Sequence, residues 1–301
     1  MPYALVLHCF PQRDTITSED LQGQKALALF LQELIQKQEA TLAARLHAPR
    51  QSKPFTTAIL PLGSGGGRPS QGAKGRRPPH RESQPRDELK VRFTLLDDAL
   101  YPVVSQFFLQ HIGGLPILRL GQVPLVISKV AVTPESGEPW AGFCRFDDLL
   151  AQTSADETAW HLRFATPTAF RAAEADLPLP IPRLCFQSWL NSWDEYAPCP
   201  FFTDRAERRR FLEEVVEAKV SVTFPHLRMA AEEFYFDGHR TSEQGFTGSC
   251  RFSVRAGKTA PHHRQILSVL ARYSFYAGTG RKTTMGMGVT TPVAPSTSGS
   301  R

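Results

Sequence analysis

Thirteen residues near the C-terminus, Tyr276-Ala277-Gly278-Thr279-Gly280-Arg281-Lys282-Thr283-Thr284-Met285-Gly286-Met287-Gly288, constrain the fold more than any other stretch. They follow a helical pattern running from about His262 to Tyr276, with Ile266, Leu270 and Tyr273 in line, and they precede a last strand. A dinucleotide-binding fold sets its glycines after a strand and before a helix, so this order excludes it. No Gly-Lys-Ser/Thr closes a P-loop, and the third glycine position of G-x-G-x-x-G is Thr283. Gly278, Gly280, Gly286 and Gly288 bracket the basic pair Arg281 and Lys282. Glycine accepts φ > 0 and leaves its amide unshielded, so two readings stay open: a cradle for an anion, or a helix C-cap running into a hairpin.

The same strand and helix signals recur upstream. Tyr3 to Phe10 reads as a strand, Thr17 with Asp20 as a capping pair, and Leu27, Phe30, Leu31, Leu34 and Ile35 as one apolar helical stripe. A second helical piece ends at Leu46-His47, a strand returns at Phe55 to Leu60, and another alternates through Leu89, Val91, Phe93 and Leu95. A helix with Leu100, Val104, Phe107, Phe108 and Ile112 on one side follows, with His111 as an edge histidine. Ile117 to Val132 supplies one or two strands more. The second half repeats the order. It has a strand at Trp160 to Phe164, with His161 and Arg163 facing outward, and a helix capped by Asp204 and Glu207. Strands at Lys219 to Phe224 or Ala231 to Phe236 and at Phe246 to Val254 precede the last helix. The order predicts an α+β protein of two tandem ferredoxin-like (RRM-like) β-α-β-β-α-β domains, residues 1–140 and 141–295 with a tail at 296–301, although no sequence repeat is detectable. Such sheets are a frequent RNA platform.

Gly63 to Glu88 contains no Leu, Ile, Val, Met or aromatic residue and is rich in Gly, Pro and Arg. It has too little apolar surface to offset the entropy of ordering, which predicts a disordered basic insertion in the first domain, either a tolerated loop or an arm that holds RNA. Over all 301 residues, 35 Lys plus Arg against 29 Asp plus Glu leave a charge of +6, which suits a polyanionic partner. The five cysteines are odd in number and lack any C-x-x-C, so neither a disulfide framework nor a zinc site is indicated. With no export signal and no long apolar span, the expectation is a cytoplasmic protein without a membrane partner.

The motifs narrow the chemistry by exclusion. No H-E-x-x-H or D-x-D occurs, Asp97-Asp98 and Asp147-Asp148 sit where helix caps belong, and Glu213-Glu214 and Glu232-Glu233 read as solvated pairs. No metal site and no cofactor is expected, and no G-x-S-x-G points to a serine hydrolase. There remains Arg45-Leu46-His47-Ala48-Pro49-Arg50-Gln51-Ser52-Lys53-Pro54-Phe55-Thr56. RNA cleavage without a metal needs a base for the 2′-OH, an acid for the departing 5′-oxygen and fixed positive charge for the phosphorane. A histidine with a pKa of about 6.5 serves either proton role. His47 is either that residue or an ordinary surface histidine, and the glycine loop leaves open a nucleotide-phosphate enzyme.

Four stretches together resemble one family: Leu46-His47 before Lys53-Pro54-Phe55-Thr56; Trp160 to Phe164 running into Thr166-Pro167-Thr168-Ala169-Phe170-Arg171; Gly245-Phe246-Thr247-Gly248; and the terminal glycine loop. The chain is similar to the CRISPR-associated endoribonucleases that process precursor CRISPR RNA within the repeat, a branch of the RAMP proteins. The resemblance implies two ferredoxin-like domains and metal-independent cleavage that leaves a 2′,3′-cyclic phosphate and a 5′-hydroxyl. It implies His47 as general acid or base and Lys53 as its basic partner, stabilising the phosphate or the transition state. Arg45, Arg50, Arg171, Gly278, Gly280, Arg281, Lys282, Gly286 and Gly288 are the expected RNA contacts. The implied partner is CRISPR repeat RNA, with mature crRNA and other effector-complex proteins as further candidates, and a non-catalytic RNA-binding subunit of such a complex is the alternative. Some members carry a tyrosine in the first helix, where this chain has Leu31 in the apolar stripe. Arg45, Arg50 or a residue of the C-terminal half then stands in for it.

Overall fold

The apolar run at the start of the chain is explained by a strand covered on both faces. β1 (Tyr3–Pro11) is buried without a break from Ala4 to Cys9. Leu5, Leu7 and Cys9 enter the core of the first unit, while Val6 joins a separate cluster with Val289 from the far end of the chain. A strand buried on one face would alternate instead. The computed structural model describes residues 1–13, 15–48, 52–61, 88–111, 114, 116–172, 175–236 and 239–293. The expected basic insertion (but for Glu88) and the tail lie outside these residues.

In the first unit α1 (Gly23–Leu29) runs into a wider, π-type turn over Phe30–Gln36, followed by α2 (Ala40–His47), β2 (Phe55–Ile59) and β3 (Leu89–Leu95). α3 (Leu100–Leu109) and a hairpin of β4 (Ile117–Leu120) and β5 (Val123–Ala131) complete it. The antiparallel order is β2-β3-β1-β5-β4, and the short β6 (Gly142–Phe143) pairs with the start of β1. The expected apolar stripe is the core: Phe30 lies 4.6 Å from Phe55 and 5.3 Å from Phe93, ring to ring. Thr17 and Asp20 do not cap α1. Their side chains and amides bond each other in a turn, and α1 starts later, at Gly23, with no side-chain cap. His111 is an edge histidine as expected, its Nδ1 on the Phe107 carbonyl at 2.7 Å.

The second unit begins with α4 (Phe146–Ala151) and β7 (Ala159–Thr168), then a small hairpin of β8 (Phe170–Ala172) and β9 (Ala175–Leu177). The sequence reading had no helix at α5 (Pro182–Tyr196), although Cys185, Phe186, Trp189, Leu190 and Trp193 form its buried stripe. α6 (Arg205–Arg210) is capped by Asp204, which accepts from the Ala206 amide at 2.9 Å, and widens into a π-type turn over Phe211–Glu217. β10 (Ser221–Phe236) and β11 (His239–Ser253) form a long hairpin, and α7 (Pro261–Ala277) leads through the glycine loop to β12 (Thr290–Pro292). The two alternative strand positions around 219–236 are one strand, broken in register between Thr223 and His226, where Pro225 sits. Its sheet runs β10-β11-β7-β12, the ferredoxin-like order of second, third, first and fourth strands. β2-β3-β1-β5 repeats that order in the first unit, so the fold is two ferredoxin-like units in tandem.

Arg92 of β3 is fully buried and ties the units together. Its Nε donates to the Trp140 carbonyl at 2.9 Å and its Nη2 to the Phe275 carbonyl at 2.6 Å, and its guanidinium lies 4.6 Å from the Phe275 ring centre. Burial pushes its pKa down to about 9, which still leaves it charged at neutral pH. On the outward face of β7, Arg163 is half-buried, 6.0 Å from the Trp140 ring, instead of meeting open solvent.

Glu232 of β10 is not half of a solvated pair. It accepts from the Gly23 amide at 2.9 Å, and burial, with a smaller push from Glu233, raises its pKa against the opposing effect of that amide. A carboxyl raised in the folded state contributes fully below the ordinary carboxylate range and loses that contribution as pH climbs through the raised value. Glu232→Gln keeps the accepting oxygen and carries no charge. Melting curves from pH 4 to 7.5 should show the variant gaining on the wild type as pH rises, by a few degrees at neutrality; a pH-independent difference would show that buried charge is not the cause.

Candidate active site

α2 places His47 by simple helical spacing. Leu42, Ala43 and Leu46 are buried, while Ala40, Ala44 and His47 turn to the accessible side. Ala40, Ala43, Ala44 and His47 all line a groove of about 550 Å³. Three alanines leave the space, and the histidine stands at its end. The facing wall is α1 and its wide turn, with Leu27, Ala28, Leu31, Gln32 and Gln36, and the groove is closed by Tyr235 of β10 and Met285 of the glycine loop. The second unit thus supplies part of the wall around a first-unit histidine.

Lys53 is bound to the helix that carries His47. Its ammonium donates to the Leu46 carbonyl at 2.9 Å and to the Ala48 carbonyl, satisfying acceptors at the C-terminal end of α2, where positive charge is favoured. Arg45 is exposed on α2, and Arg171 is exposed on β8 beside the glycine loop. Arg50 lies outside the described residues. Among the described residues no three His, Cys, Asp or Glu side chains converge as metal ligands, and no helix is long and apolar enough to cross a membrane.

The glycine loop turns its polar groups inward. The amides of Gly280 and Arg281 donate to Ser188 Oγ and the Ala169 carbonyl, each at 3.0 Å, and that of Gly288 to the Pro167 carbonyl at 2.9 Å. The Gly286 amide crosses to the first unit, donating to the Thr57 carbonyl at 3.0 Å, and the Thr57 hydroxyl returns a 2.7 Å bond to the Thr284 carbonyl. Arg281 pairs with Asp176 and, at 3.4 Å, with Glu243; Lys282 pairs with Glu243 and lies 4.0 Å from the centre of the Phe234 ring. The amides and cations that the sequence assigned to RNA are therefore engaged by the protein. Gly278 caps α7 in a positive-φ conformation, as the cap-and-hairpin reading requires.

A model of the CRISPR Cas6 N-terminal domain matches residues 1–151, and a model of the CRISPR-associated endoribonuclease Cas6 matches residues 162–290. The chain belongs to the Cas6 family. It is 28% identical over 144 residues to a Cas6 endoribonuclease of Streptococcus thermophilus, covering 47% of this chain and 54% of that protein. With a Cas6 endoribonuclease of Mycobacterium tuberculosis it shares 31% over 138 residues, covering 45% of this chain and 40% of that protein. The chain thus aligns with about half or less of the length of these curated relatives. Among solved structures, the Cas6 (TTHB231) product complex, a Thermus thermophilus protein, superposes with a TM-score of 0.74 at 27% identity, over 97% of this chain and 99% of that one.

In this Cas6 chain the sequence reading missed Tyr235, Gln32 and Gln36 as groove residues. The spacing of Gln32 and Gln36, four apart beside the apolar stripe, was a visible cue. Nothing local marks Tyr235, because its place depends on β10 reaching across to α1, where its amide donates to Gln24 Oε1 at 2.9 Å.

The loop geometry separates two variants. A Cβ at Gly286 would stand 2.7 Å from the Gly23 Cα at a φ of +95°, whereas Arg281 and Lys282 share Glu243, whose side chain is only 13% exposed and would be left as a buried, unpaired carboxylate without them. Gly286→Ala should lower the melting temperature by several degrees. The double variant Arg281→Ala with Lys282→Ala, made in a Glu243→Gln background so that no buried carboxylate loses its cations, should melt within a few degrees of that background and bind repeat RNA nearly as well. A large affinity loss in the double variant, with its melting temperature held, would return the pair to the RNA interface.

Proposed function

We propose that this chain is a metal-independent endoribonuclease that cuts precursor CRISPR RNA within the repeat. The observation that carries the reading is His47, accessible at the end of α2 in a groove walled by both units. The full-length likeness to a Cas6 product complex supports an RNA substrate. In the proposed step the ribose 2′-oxygen attacks the adjacent phosphorus, its proton passing to a base, while the bond to the 5′-oxygen breaks and that oxygen receives a proton. The products are a 2′,3′-cyclic phosphate and a 5′-hydroxyl. His47 carries one of the two proton transfers, and its imidazole suits either. Lys53 acts as a positioning residue, holding the carbonyl end of α2 so that the imidazole keeps its place over the groove. Arg45 and Arg171, both exposed, are proposed contacts to the RNA backbone.

The test is single-turnover cleavage of labelled repeat RNA in EDTA. Wild type should cut once, a 2′-deoxy nucleotide at the cut should abolish the reaction, and His47→Ala should slow it by roughly 10²- to 10⁴-fold with little change in affinity. Lys53→Ala should lower the maximal single-turnover rate and leave the half-saturating protein concentration nearly unchanged, with partial recovery of the rate in Lys53→Arg. Tight binding by a wild type that never cuts would favour the non-catalytic RNA-binding subunit, and an unaffected rate in His47→Ala would remove the histidine from the chemistry.

A further inference from the structure

We infer that the groove beside His47 is a base-reading pocket for one nucleotide flanking the cut, with Tyr235 as its stacking face and Gln32 and Gln36 as readers of the base edge; this rests on the RNA-cleaving function proposed above. Proton transfer needs only an imidazole within reach of a phosphate. The groove is larger than that, about 550 Å³, within the range of small-molecule pockets, and it runs back from His47 along the wide turn after α1.

Its lining suits a base better than a phosphate. Between the two walls Ala28 and Leu31 face Ala40, Ala43 and Ala44, apolar and mostly small, which leaves a slot for a flat ring. Gln32 and Gln36 are exposed at the rim, four residues apart on the wide turn, and no hydrogen bond to either side-chain amide occurs among the described residues. An amide offers a donor and an acceptor together, the pattern that a base edge presents and a phosphate does not. Among the described residues Lys25 is the one cationic lining residue besides His47, and it lies 3.8 Å from Asp20.

Tyr235 is held in the manner of a platform. Its amide is fixed by Gln24, and three residues before it Glu232 accepts from the Gly23 amide, an arrangement that anchors this part of β10 to the start of α1 while 36% of Tyr235 stays exposed. Unstacked bases of single-stranded RNA are bound by this pairing of an aromatic face with edge-directed hydrogen bonds.

The experiment uses the full chain and seven repeat RNAs, the parent and the three single-base changes at each of the two nucleotides flanking the cut, each in cleavable form and with a 2′-deoxy block. Wild type should prefer one base at one position by at least about tenfold in kcat/KM, and the same preference should appear in binding to the blocked RNAs. Tyr235→Leu should weaken binding of the preferred RNA by about fivefold or more, the lower edge of what one base-aromatic stack is worth, and Tyr235→Phe should retain it. Gln32→Ala with Gln36→Ala should flatten the preference while the melting temperature holds. Cleavage that ignores the base at both positions, or a preference unchanged in both variants, would overturn the pocket and leave the cleavage reading standing. Base-dependent binding without cleavage would do the reverse, and a protein that neither binds nor cuts the repeat would sink both.

Discussion

The groove depends on a contact between two backbones. Gly23 at the start of α1 and Gly286 in the terminal loop approach so closely that a Cβ on Gly23 would meet the Met285 carbonyl oxygen at 2.2 Å. Only paired glycines allow this, and around them the Gly286 amide reaches Thr57 and the Gly23 amide reaches Glu232. The first-unit helix that walls the groove and the second-unit loop that closes it are thus registered by short polar contacts. Such contacts are directional, so a shift that broke one would leave partly buried donors unmet, at about 1–3 kcal/mol each.

Much of the fold was legible because its signals are local. The alternation of Trp160, Leu162 and Phe164, and the stripe of Ile266, Leu270 and Tyr273, are periods that a strand and a helix impose on any sequence. α5 escaped notice beside Pro180 and Pro182, although its aromatic stripe is clear once the first turn is granted a proline. For β10 the sequence offered two alternative positions, Lys219 to Phe224 or Ala231 to Phe236, and in the structure one strand covers most of both, passing Pro225 at a bulge.

The site was legible on one side only. His47 and Lys53 lie close in the chain, and their neighbourhood on α2 follows from that closeness. The glycines were ambiguous for a physical reason: an anion cradle, a helix cap and a close approach all demand positive φ or a missing Cβ, so composition cannot separate them. In the structure the amides of Arg281, Gly288 and Gly286 point to Ala169, Pro167 and Thr57. Arg281 and Lys282 carried the same ambiguity, since Asp176 and Glu243, which neutralise them, are distant in the chain.

β10, the longest of the described strands, lies at the edge of its sheet and exposes Phe224 and Met229. An edge of this length is a template on which a second chain could add a strand, the first step toward aggregation. Two features blunt it. Near its start Pro225 has no N–H to offer and the bulge breaks the ladder, and near its end the Tyr235 amide is already taken by Gln24. The contact that sets the groove wall therefore also shields the strand against self-association, so loosening it would expose the protein's solubility as well as its chemistry.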